Sequence, residues 1–321
     1  MSPFRLRPKG PLKAAVIGAG AFGRHHASKY RHLDGVELVA IADPSAEVRK
    51  TSLATHGVPA VADWRDLLGV VDLVSVCTPA VTHAEIVRAF LNAGAHVLVE
   101  KPIATALDEA DALIALALNA GLTLTVGHQE RFVFAATGLL EHKEVPLEVS
   151  TWRMGPWSGR GADVSVVLDL MIHDLDLVHQ LVPSLVIDVK ARSKAVHSRL
   201  ADEVSADLTF ANGSVAHLET SRISDARRRG MRAVYRDGVI EIDFVSRKIT
   251  NTTPRPLKAL EQGDPLGMSV ASFVASVRDG ATTLVRPEEA RRALHTALLI
   301  DDAADRDAAA PDAFAALAAA R

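Results

Sequence analysis

One histidine and three carboxylates stand inside an apolar run at residues 166–178, VVLDLMIHDLDLV: Asp169, His173, Asp174 and Asp176. Read as a helix, the run places Asp169, His173 and Asp176 within about 40° on one face, and Asp174 points elsewhere. A histidine titrates near neutral pH, and an adjacent carboxylate raises its proton affinity and fixes its tautomer. That pairing suits removal of a proton from a hydroxyl, with His173 as general base and Asp169 as its partner or as a ligand to a substrate hydroxyl. Asp176 fits a local buttress. Two other readings compete. A solvated helix face would look similar, but the rest of the run is apolar, which also permits a site. A zinc centre would need further ligands, and the chain lacks Cys pairs and an H-x-x-x-H companion, so no metal is expected.

Taking a proton from an alcohol is useful when a hydride leaves the same carbon, which requires an electron acceptor and a positive field for the developing alkoxide. The N-terminal third offers both. VIGAGAFGRHH carries Gly18, Gly20 and Gly23 in G-x-G-x-x-G spacing, with Ala21 and Phe22 between the last two glycines, after a predicted strand and opening a predicted helix. The first glycine allows a tight turn, the second lets a pyrophosphate approach the backbone, and the third lets the helix pack closely. Asp43 ends the next strand, LVAIAD, where a carboxylate can accept from both adenosine-ribose hydroxyls and would repel a 2′-phosphate. NAD is therefore expected over NADP, with Arg49 placed to moderate that preference. Two later strand ends carry Thr78, Pro79 and His83, and Glu100, Lys101 and Pro102, where ligands of open α/β sheets bind. Pro102 biases Lys101 to an extended conformation and fixes where its ammonium projects. His25 and His26 are expected to be helix surface or packing.

The elements that hold these residues can be read from periodicity. Up to Gly127, short β-branched runs alternate with helical patterns, as in successive βαβ units on a buried parallel sheet. Asp63, Thr82 and Thr105 stand where helix N-caps belong, Gly94 and Gly121 where helices end. Beyond Gly127 come longer alternating strands with tight-turn signals at Asn212-Gly213 and Asp237-Gly238, the signature of antiparallel hairpins. Helical patterns cover 266–278 and 287–306, and the last residues are alanine-rich. The expectation is an α/β protein of two domains. Residues 1–127 form a Rossmann doubly wound parallel sheet, and residues 128–321 a substrate-binding and oligomerisation domain with an open, largely antiparallel sheet.

Composition narrows the partners. In 321 residues, 36 Lys and Arg oppose 39 Asp and Glu, a net charge of −3, which provides no footprint for nucleic acid or an anionic membrane. The single cysteine, Cys77, cannot form an internal disulfide. The N-terminus lacks a signal-peptide apolar core, and no window approaches the roughly 18 apolar residues of a membrane span. A cytoplasmic protein acting on a small molecule is expected. His128 and Arg131 come directly after the last parallel strand and are candidates to line a substrate cleft. Arg153, Arg160 and the arginine-rich stretch 221–232 could bind a diphosphate, because guanidinium forks suit phosphate oxygens. A charged strand edge and turn would explain the last of these equally well.

The glycine fingerprint, EKP at 100–102, VGHQERF at 126–132 and D-x-x-x-H at 169–173 resemble the Gfo/Idh/MocA family of oxidoreductases across nearly the whole chain. The resemblance implies binding of NAD(H) or NADP(H), with Lys101 between nicotinamide and substrate and Asp169 and His173 opposite it. It also implies a homodimer or homotetramer built through the C-terminal sheet. VGHQERF together with RMGPWSGRGADVSVVLDLMIHDLDLV is similar to the branch of the family that oxidises the 3-hydroxyl of UDP-N-acetylglucosamine, a step toward the amino sugar of lipid A. That branch places Asn-Pro after ERF, where this chain has Val133-Phe134. A dehydrogenase of a free polyol or sugar such as an inositol, and a non-catalytic NAD-binding sensor, are the alternatives.

Overall fold

A computed structural model describes residues 10–159, 161–260 and 263–309. The chain forms two compact units, the first running to Phe132 and taking up Gly263–Arg291, the second comprising Val133–Gln262 and the chain from Arg292 on.

The first unit keeps the alternation of the sequence: β1 (Leu12–Ile17), α1 (Gly23–Arg31), β2 (Val36–Ala42), α2 (Ala46–His56), β3 (Ala60–Val61), β4 (Leu73–Val76), α3 (His83–Asn92), β5 (His96–Val99), α4 (Leu107–Ala120) and β6 (Leu124–Val126). All strand pairs are parallel, in the order β3-β2-β1-β4-β5-β6. This is the doubly wound order whose reversal point lies at β1 and β4, beside the glycine loop. The strands are short and almost wholly buried, which is why they read as continuous apolar runs. Ser45 caps α2 by accepting from the Val48 amide, Asp63 accepts from the Arg65 amide, and Gly57 and Gly121 end α2 and α4 in the left-handed conformation. Thr82 stands at the cap of α3 without a side-chain cap bond, and Ala106, not Thr105, precedes α4.

After α5 (Glu130–Ala136), the second unit contains β7 (Glu148–Met154), a π-helical turn at Val167–Met171 continuing into α6 (Ile172–Leu181), then β8 (Val186–Lys194), β9 (Glu203–Phe210), β10 (Val215–Ser221), β11 (Arg228–Tyr235), β12 (Gly238–Asp243) and β13 (Lys248–Asn251). Its sheet order is β13-β12-β11-β7-β10-β9-β8, antiparallel except for the β7–β10 pair. Both expected hairpins form, at Asn212-Gly213 between β9 and β10 and at Asp237-Gly238 between β11 and β12. In β9 and β10 burial alternates residue by residue, so one sheet face is packed and the other open.

The division between units differs from a single cut at residue 127. Helix α7 (Pro265–Asp279), which that cut assigns to the substrate domain, packs with the first unit: its Val270, Phe273 and Val274 join Leu12, Ala14, Val16, Tyr30 and Ile41 in one core cluster. Burying each such side chain contributes roughly 1.5–3 kcal/mol. An amphipathic stripe predicts the helix but not which core receives it. The last helix is α8 (Pro287–Ala309). The alanine-rich end from residue 310 lies outside the described residues.

Candidate active site

Close packing explains the glycine loop. Gly18 has φ +82°, and a Cβ there would lie 2.8 Å from the Cys77 carbonyl oxygen. On Gly23 a Cβ would fall 1.7 Å from the Gly18 carbonyl, so only glycine lets α1 start against the turn. Gly20, by contrast, is exposed, and a side chain there would meet nothing within 4 Å. The loop is open where a pyrophosphate would approach and shut where the helix must pack, as a dinucleotide site requires. Phe22 is half exposed beside it. Asp43 is fixed at the end of β2, with Oδ2 accepting from the Ala19 amide at 2.8 Å and Oδ1 from the Ser45 amide at 2.9 Å. Arg49 donates to the carbonyls of Asp43 and Pro44 at 2.8 Å each, and so stands beside the end of β2.

At the next two strand ends, His83 connects the loops: Nδ1 lies 2.7 Å from the Pro102 carbonyl and Nε2 3.0 Å from that of Thr78. Burial lowers its proton affinity despite those bonds. Thr82 donates to the Thr78 hydroxyl at 2.7 Å, holding Thr78 half-buried next to exposed Pro79. Glu100 is buried, while Lys101 keeps partial exposure. His26, expected as surface or packing, is buried with its Nε2 2.9 Å from Glu100 Oε1; His25 is exposed. The signal for His26 was in the sequence: Gly23, His26, Ala27 and Tyr30 form the buried i, i+3, i+4, i+7 face of α1.

Two candidate substrate ligands of this unit are buried. His128 lies inside it, and Arg131, 2% exposed, donates to Glu289 at 3.0 Å and to the Leu284 carbonyl at 3.3 Å. That guanidinium ties the end of the parallel sheet to the start of α8, a structural task in place of the expected substrate contact.

In the second unit the run at 166–178 is helical, with a π-turn at its start. From Val164 to His179 every residue is buried except Asp169, Leu170 and His173. The wider turn, with the Ile172 amide reaching the Val167 carbonyl, inserts an extra residue between Asp169 and the body of α6. The expected three-residue face therefore reduces to two: Asp176 is buried, its charge felt by His179. Asp174 also points inward, where Arg153 clasps it with Nε at 2.9 Å and Nη2 at 2.8 Å, both side chains 2% exposed. Arg153, on β7, thus ties that strand to α6 through a buried carboxylate. Arg160 lies outside the described residues.

Asp169 is set by residues that spacing did not identify. Gly161, at φ +65°, approaches so closely that a Cβ would lie 2.3 Å from Asp169 Oδ2. Arg222 reaches the same oxygen at 4.0 Å while donating to Gly161 O at 2.6 Å, Val164 O at 3.2 Å and Asp202 Oδ1 at 2.9 Å. Asp202 is fully buried; burial opposes its charge, but three backbone amides and Arg222 hold its carboxyl far below the usual range. Arg222 belongs to the arginine-rich stretch considered for diphosphate binding, and its role is to fasten the loop that carries Gly161. Ser165 anchors the helix start, accepting from the Leu168 amide at 3.3 Å and donating to Asp301 Oδ2 at 2.7 Å. Among the described residues, no three His, Cys, Asp or Glu side chains converge as a metal site needs. None of the described helices is long and apolar enough to cross a membrane.

Comparison with known proteins agrees with this arrangement. A family model described as "Oxidoreductase family, NAD-binding Rossmann fold" matches residues 12–128, and the GFO/IDH/MocA C-terminal domain matches residues 141–241. UDP-N-acetylglucosamine 3-dehydrogenase of Acidithiobacillus ferrooxidans is 36% identical over 237 residues, 73% of this chain and 75% of that protein. Its solved structure superposes with a TM-score of 0.84 at 31% identity, covering 91% of this chain and 97% of that one. An inositol 2-dehydrogenase/D-chiro-inositol 3-dehydrogenase of Halalkalibacterium halodurans is 31% identical over 186 residues, 53% of each chain. The chain therefore belongs to the Gfo/Idh/MocA family of oxidoreductases, with an NAD-binding Rossmann fold over residues 12–128.

Proposed function

We propose that this protein oxidises a secondary hydroxyl of a sugar, and that its substrate is UDP-N-acetylglucosamine, converted at C3 to the 3-keto sugar that precedes a lipid A amino sugar. The observation that carries the substrate is the 36% identity to a dehydrogenase of that compound over about three-quarters of both chains. NAD, when bound, supplies the hydride acceptor. The glycine loop of Gly18, Gly20, Ala21, Phe22 and Gly23, with the first turn of α1, would hold its pyrophosphate, and Asp43 the adenosine ribose. The fixed carboxylate favours NAD over NADP. Thr78, Pro79, His83 and Glu100 belong to the cofactor side. His173, oriented by Asp169, takes the hydroxyl proton, and Lys101 stabilises the developing alkoxide or relays the proton. His128 bounds the substrate space. The protein acts in the cytoplasm and self-associates as a dimer or tetramer through the open sheet face, where Leu185 and Ile187 are more than 60% exposed.

NADH formation at 340 nm, read across a panel of UDP-sugars and polyols with an aminotransferase or carbonyl trap to remove the ketone, tests the assignment. Turnover with UDP-N-acetylglucosamine, abolished by Lys101→Ala and His173→Ala, is expected. Turnover with an inositol but with no nucleotide sugar would overturn the substrate. Full activity in His173→Ala would overturn its role as base.

A further inference from the structure

The turn that carries Asp169 is held from outside its own helix. Ser165 bonds to it twice, in the manner of an N-cap: its Oγ accepts from the Leu168 amide at 3.3 Å, and its carbonyl accepts from the Asp169 amide at 2.9 Å. The same hydroxyl donates to Asp301 Oδ2 at 2.7 Å, on α8, 136 residues further along the chain. A hydroxyl has one hydrogen, so giving it to Asp301 leaves the oxygen lone pairs for the Leu168 amide. A carboxylate offers acceptors only, and therefore fixes that direction.

Helix α8 is a firm base for the bond. Ala297, Ile300 and Ala304, which flank Asp301 along the helix, are buried, and Thr296 Oγ1 lies 2.8 Å from His179 Nε2. Asp301 and Thr296 thus reach opposite ends of the 165–181 segment. Stability does not explain the carboxylate. Burial first, and then the like charges of Asp305 and Asp302, raise its proton affinity although the Ser165 bond opposes them, so the charged form is disfavoured in the fold. A group kept where a neutral residue would be more stable, bonded to the turn of a site residue, answers to function.

We propose that Asp301 is a positioning residue: by fixing the Ser165 hydroxyl it sets the first turn of the helix, and with it the place of the Asp169 carboxylate beside Gly161 and Arg222. It does so without touching substrate. Its bearing on turnover rests on the assignment of Asp169 to the reaction, whereas the tether itself does not.

Amide hydrogen exchange of the full chain, resolved by fragmentation mass spectrometry over residues 165–172, reads the tether directly. In Asp301→Ala, exchange at the Leu168 and Asp169 amides rises about ten-fold while β9 and β10 stay unchanged. With substrate, kcat falls at least ten-fold and KM for NAD stays within about two-fold, because the glycine loop belongs to the other unit. Ser165→Ala gives the same loss, and the double variant falls no further than either single, because both act through one hydroxyl. Asp301→Asn, whose amide oxygen still accepts, keeps kcat within about three-fold. Thr296→Val, which loosens α8 at its other contact, lowers Tm and leaves kcat within about two-fold. Unchanged exchange at Asp169 in a folded Asp301→Ala protein overturns the proposal, and so does an equal fall of kcat in Thr296→Val or a multiplied loss in the double variant. Should Asp301→Ala fail to fold, Ser165→Ala removes the other partner of the same bond, and unchanged exchange there overturns it equally. Raised exchange in a protein whose wild type turns over no sugar would refute the functional reading and leave the tether standing.

Discussion

Replacing Arg153 with methionine separates two roles for one arginine. As a diphosphate ligand, Arg153 would be dispensable for folding and its loss would raise KM. The structure instead buries it against Asp174 with two parallel bonds at 2.9 and 2.8 Å, one residue from His173. Arg153→Met keeps most of the volume of the stem and removes the guanidinium that donates twice to Asp174, a carboxylate at 1% exposure. Breaking a buried pair from one side costs about 3–5 kcal/mol. For a unit of this size each kcal/mol lowers Tm by about 2–4 °C, so Tm should fall by roughly 6–20 °C. The double substitution Arg153→Met/Asp174→Leu removes both charges, and replacing a buried pair by apolar groups is close to neutral, so most of the loss should return. Differential scanning calorimetry of the three proteins, paired with KM for the proposed nucleotide-sugar substrate, provides the readout. A wild-type Tm in Arg153→Met with a ten-fold higher KM would refute the buried tether and restore the substrate contact.

Three other sites give measurable outcomes. Gly23→Ala forces its methyl into the Gly18 carbonyl, so NADH affinity by fluorescence titration should fall at least ten-fold. Asp43→Ser removes the carboxylate proposed to hold the ribose while Arg49 remains beside it, and the ratio of NADP to NAD efficiency should rise ten-fold or more, about 1.4 kcal/mol. Burial raises the Asp301 carboxyl to about 6 in the folded state, above its unfolded value. The folded protein therefore holds an extra proton between about pH 4 and 6, and this group's contribution to stability falls as pH rises through that window, by at most about 3 kcal/mol. Asp301→Asn, which still accepts from Ser165, should raise Tm at pH 8 and leave it unchanged at pH 4; equal shifts at both would contradict the linkage.

Much of the fold was legible because the signals were local. Alternating β-branched runs and helical stretches specified the parallel sheet, two Asx-Gly pairs marked the hairpins, and Gly18 and Gly23 each answer a steric demand of the turn. The features that stayed hidden depended on partners distant in sequence. Leu266, Val270 and Phe273 spell an amphipathic helix in any core, and only tertiary packing sends α7 to the first unit. Arg153 and Arg222 look like phosphate ligands until Asp174 and Asp202 are found beside them. His26 was readable from the buried face of α1, but its worth lay in Glu100, 74 residues away.

The π-turn at Val167–Met171 bears on how this chain can vary. Losing one residue there, Leu170 for instance, would restore an unbroken α-helix and should make that segment easier to fold. It would also bring Asp169 three residues before His173 instead of four, shifting its carboxylate against Gly161 and Arg222. A chain that drops that residue should keep the fold and its nucleotide loop while losing the geometry proposed for Asp169 and His173, so the length of this helix constrains the site as much as its composition.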